Sequence, residues 1–178
     1  PLRRAGNKPP VEPTDSYALF HDGTLYIGMR CHEAQVDSIV APPSARDAMN
    51  VFSQDHVEIF LDPNHSRSRF FQLAVNADRT AMFDTAPGRN LTWNGKWIAK
   101  THKGKDDWTI EIAIPLSTLN LTPLVSHTWG INLGRYESRL KETTGASLTK
   151  TTNFQLPQRY PTLVWPDSVD FSRYMLLP

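Results

Sequence analysis

Cysteine is almost absent from this chain of 178 residues, since Cys31 is the only one. A single thiol excludes an internal disulfide and any metal cluster built from several cysteines. Cys31 closes the alternating run LYIGMRC, where an apolar setting predicts a buried and unreactive thiol. A domain of this length can bury about 70% of its surface without needing a disulfide or a structural metal for its core. The cysteine content therefore leaves the redox compartment open.

Long apolar runs and an excess of one charge are missing as well. No stretch approaches the roughly 18 apolar residues of a membrane span, and no signal peptide is recognisable. The 19 basic and 18 acidic side chains are interspersed along the chain rather than grouped. We therefore expect neither membrane insertion nor a nucleic-acid partner.

Common catalytic motifs are also lacking, because the chain contains no HExxH, no P-loop and no nucleophile elbow. Asp55 and Glu58 are an odd number of positions apart, so a regular strand would direct them to opposite faces. They could not then flank one glycosidic bond as an acid and base pair. The sequence predicts a protein that is not itself an enzyme.

Alternation of apolar and polar residues runs through most of the chain and is typical of antiparallel β-structure. Helical turns are indicated only near residues 44–50 and in the PLSTLNL segment, and the Thr-rich residues 139–164 predict one long loop. The predicted strands are residues 15–20, 24–33, 55–62, 69–77, 80–84, 96–103, 108–115, 129–138 and 172–177. This pattern predicts an all-β fold, a two-sheet antiparallel β-sandwich of jelly-roll-like type with one short helical segment. We expect an irregular N-terminal segment over 1–14 and a single domain over 15–178.

The segment VFSQDHVEIFLDP shows how strand parity assigns roles. Its apolar residues Val57, Ile59 and Leu61 share one face, and Glu58 lies on the other. If the strands are neighbours, that second face collects several hydrogen-bonding side chains, namely Glu58, Gln72, Asn76, Glu111 and Asn132. Such a face suits a sugar ligand, and it equally suits water.

The order of five segments resembles the family 9 carbohydrate-binding modules of the DOMON-like superfamily. The segments are HDGTLYIGMRCHE, QDHVEIFLDPNHSRSRFFQLAVNADRTAMFD, DDWTIEIAIPLSTL, WGINLGRYES and DFSRYMLL. The resemblance implies a β-sandwich that binds a saccharide and is appended to the catalytic domain of a larger parent chain. It also implies an extracellular or periplasmic location. Because the chain opens on Pro1 rather than Met, we expect a mature form or an excised module.

The resemblance further implies five carbohydrate-binding residues. Two aromatic rings clamp a terminal sugar in the sugar-binding members, and the matching positions hold Phe52 and Trp165. The polar positions of that site match Glu58, Asn76 and Arg135. An aromatic face stacks on the C–H side of a pyranose, while a carboxylate or guanidinium bonds its hydroxyls. Phe52 stands where the family has Trp, and Ala74 stands where a sugar binder has Arg.

Each of these residues also has a structural explanation. Glu58 could be an exposed or salt-bridged strand residue, and Asn76 could be a turn-entry residue at a strand end. Arg135 could pair with Glu111, and Phe52 could anchor a loop. The polar setting of Trp165 between Pro161 and Pro166 favours an exposed ring, which suits binding.

No cofactor is required by the sequence, although structural calcium occurs in some members of the family. The candidate oxygen ligands are Asp62, Asp78 and Asp84. Two other functions stay open: a structural accessory β-sandwich that has lost sugar binding, and a DOMON-like haem-binding domain. For haem, Met29 and Met82 with a histidine are the candidate ligands, although no spacing selects them.

Overall fold

Eleven β-strands are found in residues 2–121, 126–147, 154–166 and 169, the residues that the computed structural model describes. They are β1 Arg3–Arg4, β2 Thr14–His21, β3 Thr24–His32, β4 His56–Asp62, β5 Phe71–Asn76, β6 Met82–Thr85, β7 Ile98–Lys103, β8 Asp107–Pro115, β9 Thr128–Glu137, β10 Glu142–Gly145 and β11 Thr162–Val164. Helical structure in these residues is limited to 3-10 turns at Ala5–Asn7, Val36–Ser38, Met49–Ser53, Leu116–Leu119 and Pro157–Arg159. None of the helices in this part of the chain is long and apolar enough to cross a bilayer. The strand predicted at 172–177 lies outside the described residues.

The strands form two antiparallel sheets, which confirms the predicted β-sandwich. The seven-stranded sheet has the order β1-β10-β9-β4-β5-β6, with β11 pairing with β9 as well. The four-stranded sheet has the order β2-β3-β8-β7. Strands β2 and β3 are joined by Asp22 and Gly23, whose φ angles of 44° and 69° are both positive. That pair of angles is typical of a tight hairpin turn whose twist matches the twist of the strands.

The main core lies between the two sheets and follows the alternation of the sequence. Val57, Ile59 and Leu61 of β4 are fully buried in it, as predicted. The four-stranded sheet contributes Leu25, Ile27, Met29, Cys31, Trp108, Ile110, Ile112 and Ile114. Cys31 is buried, and this burial raises the pKa of its thiol to about 12. The prediction of an unreactive thiol agrees with that pKa, because almost no thiolate forms near neutral pH.

The structure corrects two sequence predictions, one for residues 139–164 and one for the N-terminal segment. The single loop predicted over residues 139–164 is wrong, because β10 and β11 in this region both pair with β9. The N-terminal segment 1–14, expected to be irregular, contains β1, which pairs with β10. Leu2 beside β1 is 2% exposed and belongs to the main core. Short edge pairings of two to four residues leave too little alternation for a sequence pattern to detect.

Strands β4 and β5 are buried on both faces, and this decides where a site can form. Every residue of His56–Asp62 and of Phe71–Asn76 is buried, although alternation predicted one solvent-facing side. The outer face is covered at one end by the 3-10 turn that carries Val51 and Phe52. At the other end it is covered by a cluster of Phe60, Phe154 and Tyr160. A cavity remains on that outer face between these two covers.

The packing of β4 gives a first testable prediction. Ile59→Ala removes a side chain that is fully buried between the two sheets. We expect it to lower the free energy of unfolding by about 2–5 kcal/mol, because lost transfer energy and an unfilled cavity add together. Urea unfolding followed by circular dichroism measures this change.

Leu19→Ala is the matched control, because Leu19 is 62% exposed on β2. This control should change the stability by less than about 0.5 kcal/mol. Equal losses in the two variants would contradict the assignment of the core.

Candidate functional site

A cavity of about 310 Å³ opens on the outer face of the seven-stranded sheet. This volume lies at the lower end of the range of roughly 300–1,000 Å³ that is usual for small-molecule sites. Strands β4, β5 and β6 form its base, and the 3-10 turn at Met49–Ser53 and two loop segments form its walls. The lining residues are Met49, Phe52, Glu58, Phe60, Gln72, Phe83, Arg89, Phe154 and Gln155.

Glu58 provides the carboxylate of this cavity and is held in place by two neighbours. Gln72 Nε2 donates a hydrogen bond of 2.7 Å to Glu58 Oε2. His56 Nε2 lies 3.5 Å from Glu58 Oε1, and His56 Nδ1 lies 2.7 Å from the backbone oxygen of Gln54. Because a carboxylate has about four acceptor positions, Glu58 can still accept hydroxyl groups from a ligand in the cavity.

Aromatic rings line the cavity on both sides of Glu58. Phe52 packs edge-on against Phe83, with ring centroids 5.0 Å apart, and against His56 at 5.6 Å. Phe60 and Phe154 lie 5.6 Å apart with an interplanar angle of 31°. Both the binding role and the loop-anchor role proposed for Phe52 fit this position, since its half-buried ring packs on the sheet and lines the cavity. The arrangement places apolar ring surface beside a fixed acceptor.

Asn76 shares the outer face with Glu58 but does not line the cavity. It pairs with His56 in register and is fully buried under the turn that follows β5. Its Nδ2 donates to Gln54 Oε1 and to Thr80 Oγ1, each at 2.8 Å, and its Oδ1 accepts from the Thr80 backbone N–H at 2.8 Å. These bonds use the amide to hold a turn, which agrees with the explanation of Asn76 as a turn-entry residue at a strand end.

Arg135 lies on the opposite side of the sheet from Glu58. It is in register with Val57, so its side chain faces inward, where it is 2% exposed. Its Nη2 lies 3.6 Å from a carboxylate oxygen of Glu33 and 3.6 Å from one of Glu137. The alternative pairing with Glu111 is wrong, because Glu111 is exposed on the outer face of β8, whereas Arg135 points into the space between the sheets.

Trp165 is not close to Phe52, so the structure does not form the predicted clamp from these two rings. Trp165 is 7% exposed and belongs to the core between the sheets. Its ring centroid lies 5.8 Å from that of Phe20 and 5.9 Å from that of Trp129. The interpretation of an exposed ring is wrong, because Trp165 directly follows β11, whose pairing with β9 brings the ring into the core.

Several cavity residues were not among the predicted site residues. Gln72 could have been found from the sequence, since parity places it on the Glu58 face of the adjacent strand. Phe154, Gln155 and Arg89 lie in irregular segments, where alternation carries no information. Only the folded chain brings these segments over Glu58.

The three candidate calcium ligands have separate protein partners. The Asp62 carboxylate accepts backbone N–H bonds from Ser66 at 2.9 Å and from Arg67 at 2.7 Å. Asp78 is paired with Lys103 at 2.9 Å. Asp84 accepts from Trp97 Nε1 at 2.6 Å and is paired with Arg46, while burial raises the pKa of its carboxyl. These three carboxylates do not form one cluster with metal-ligand spacing. Structural calcium stays a prediction.

The residues suggested for haem are likewise outside the cavity. Met29 is buried in the main core, and Met82 packs against the same core. Among the described residues that line the cavity, none is a histidine. A haem in this cavity would therefore lack the proposed axial ligands.

A buried ionic network surrounds Arg135 on the inward face of the seven-stranded sheet. Arg139 Nη2 is 2.8 Å from Glu33 Oε1, 2.8 Å from Glu137 Oε1 and 3.3 Å from Glu12 Oε1. These three glutamates are the only group in the described part of the chain with metal-ligand spacing, and two guanidiniums already face them. Burial, with added repulsion from Glu33, raises the pKa of Glu137 to about 8.

The raised pKa of Glu137 predicts a pH-dependent stability. A carboxyl whose pKa rises on folding stabilises the protein below its usual pKa of 4.5, and this contribution is lost as the pH rises through about 8. Glu137→Gln cannot ionise, so the free energy of unfolding should fall less steeply with pH in this variant. Urea titrations at about pH 5 and about pH 8 measure the two slopes.

Glu111→Gln is the control for this experiment, because Glu111 is exposed on β8 and away from the network. It should retain the slope of the original chain. An unchanged slope in Glu137→Gln would show that the network holds Glu137 ionised across this pH range.

Comparisons with known proteins bear on the family and the fold of the chain. A family model described as carbohydrate family 9 binding domain-like matches residues 13–170. No curated protein matches the chain significantly.

Among solved structures, a similar one is a protein of Bacteroides uniformis ATCC 8492 whose proposed role is carbohydrate binding. It has a TM-score of 0.75 and 16% identity, and the match covers 93% of this chain and 85% of that chain. A family 9 carbohydrate-binding module of Caldicellulosiruptor kristjanssonii in complex with cellotriose has a TM-score of 0.62 at 20% identity, covering 88% of this chain and 76% of that one. The same kind of module in complex with glucose gives 0.63 and 20%, covering 88% and 78%. At these identities the solved structures support the fold alone.

Proposed function

Because the chain belongs to the carbohydrate family 9 binding domain-like family, we propose that it binds a sugar unit in the cavity around Glu58. The family is one of carbohydrate-binding, non-catalytic modules, and the resemblance seen in the sequence is confirmed. The observation that carries the proposal is a carboxylate fixed by Gln72 in a cavity lined by phenylalanines. Similar modules bind cellotriose and glucose, which supports a saccharide as the ligand.

The chemistry of the cavity matches the two surfaces of a pyranose. A sugar ring has C–H groups that pack on aromatic faces and hydroxyl groups that need hydrogen-bond partners. Phe52 and Phe154 provide the first kind of surface, and Glu58 and Gln72 provide the second. Glu58 is already oriented by its bond to Gln72, so ligand binding would cost little side-chain ordering.

The cavity supports binding better than catalysis. Glu58 is the only carboxylate among the described lining residues, whereas glycoside hydrolysis normally uses two. Asp55 has a structural role instead. Its Oδ2 accepts a hydrogen bond from the Val40 backbone N–H at 2.8 Å, and its Oδ1 accepts one from the Ser138 backbone N–H at 3.1 Å. We propose a non-catalytic module that works beside the catalytic domain of a larger, extracellular or periplasmic parent chain.

A structural accessory domain without a ligand is the less favoured function. Such a domain would bury the Phe52 surface against its partner and would not need an open cavity with a polar base. Here the cavity contains an acceptor that is bonded within the protein and still has free acceptor positions. This observation favours a small polar ligand over a flat contact.

Glu58→Gln tests the proposal directly. The amide keeps the size of the side chain but loses the charge-assisted bonds to hydroxyl groups, which are worth about 1.5–3 kcal/mol each. We expect at least about tenfold weaker binding of the responding sugar, since 1.4 kcal/mol is a factor of ten. Isothermal titration calorimetry with glucose, cellotriose and xylose-based oligosaccharides measures the affinity.

Glu111→Gln is the matched control, because it makes the same chemical change on the outer face of the other sheet. It should bind as the original chain does. Sugar binding that persists unchanged in Glu58→Gln would refute the proposed site, and absence of binding to every saccharide tested would refute the proposed function.

A further inference from the structure

Arg89 is the one basic residue among the described residues that line the cavity. It lies in the loop after β6, where Ala86 and Asn90 exchange two backbone hydrogen bonds of 3.3 and 3.2 Å. These bonds close the loop into a tight turn, and Arg89 adopts a φ of 58° within it. The backbone of the turn is therefore fixed, and the long side chain extends from it at the rim of the cavity.

The two charged residues of the cavity, Glu58 and Arg89, differ in their exposure and in their protein partners. Glu58 is 8% exposed, accepts a bond from Gln72 and faces His56. Arg89 is exposed and makes no hydrogen bond or ion pair with any described residue. Arg46, in contrast, lies outside the cavity lining and is paired with Asp84. The Arg89 guanidinium at the rim is thus available to bond a ligand.

We propose that Arg89 makes this site selective for a saccharide whose bound unit is a uronic acid, an inference that rests on the proposed function. A guanidinium presents two parallel N–H groups that fit a carboxylate, and such a pair is stronger than a bond to a neutral hydroxyl. The hydroxyls of the sugar bond Glu58 at the base of the cavity, and its carboxylate bonds Arg89 at the rim. Arg89 is then a specificity-determining residue for this cavity.

Glucuronic acid and glucose are the test pair, because they differ only in a carboxylate or a hydroxymethyl group at C6. The methyl ester of glucuronic acid serves as a third ligand of similar size without the charge. We expect the chain to bind glucuronic acid about tenfold more tightly than the other two. The preference should shrink as salt is raised, since the rim is open to solvent.

Arg89→Gln should bring the three affinities together, mainly by weakening the binding of glucuronic acid. Arg67→Gln is the matched control, because Arg67 is also exposed, has a φ of 57° and lies outside the cavity. It should keep the full preference. Circular dichroism of both variants checks that the fold is retained.

The outcomes separate this inference from the proposed function. Equal binding of the three ligands by the original chain, or a preference that survives in Arg89→Gln, overturns the role of Arg89. If glucose then still binds in a Glu58-dependent way, the proposed function stands. If no saccharide binds at all, both are overturned.

Discussion

The hydrogen bond from Gln72 to Glu58 is the interaction on which the candidate site depends. Strand β4 is buried on both faces, and a carboxylate in such a strand is costly unless protein groups bond it. The adjacent strand supplies that donor from the same face of the sheet, so Glu58 is oriented before any ligand arrives. The remaining acceptor positions of the carboxylate are then directed into the cavity.

The sheet and the connections between its strands contribute different residues to this cavity. The sheet fixes Glu58 and Gln72 through strand register, and this part is rigid because each strand is bonded on both sides. The turn with Phe52 and the loop with Arg89 come from connections between strands, and they set the shape and charge of the rim. A ligand is therefore held by the sheet and discriminated by the connections, as is usual when loops carry specificity on a rigid scaffold.

Alternation also explains why the predicted site residues separate in the folded chain. Arg135 has the parity of the inward residues of β9 and therefore enters the core side, where burial requires charged partners. Asn76 has the parity of Glu58, yet the turn after β5 covers it and uses all of its amide. The resemblance selected positions along the chain, whereas the side of the sheet and the cover above it determine which of them can meet a ligand.

Much of the fold was determined by the sequence itself, because period-two alternation is a local property that reports strand faces directly. It gave the core residues Val57, Ile59 and Leu61, the exclusion of Asp55 and Glu58 as a catalytic pair, and the sandwich class. Only the tertiary structure decided that Phe154 and Arg89 lie over Glu58 and that Trp165 is buried against Trp129. Those positions come from irregular segments and short edge pairings, whose placement depends on long-range packing that no local periodicity encodes.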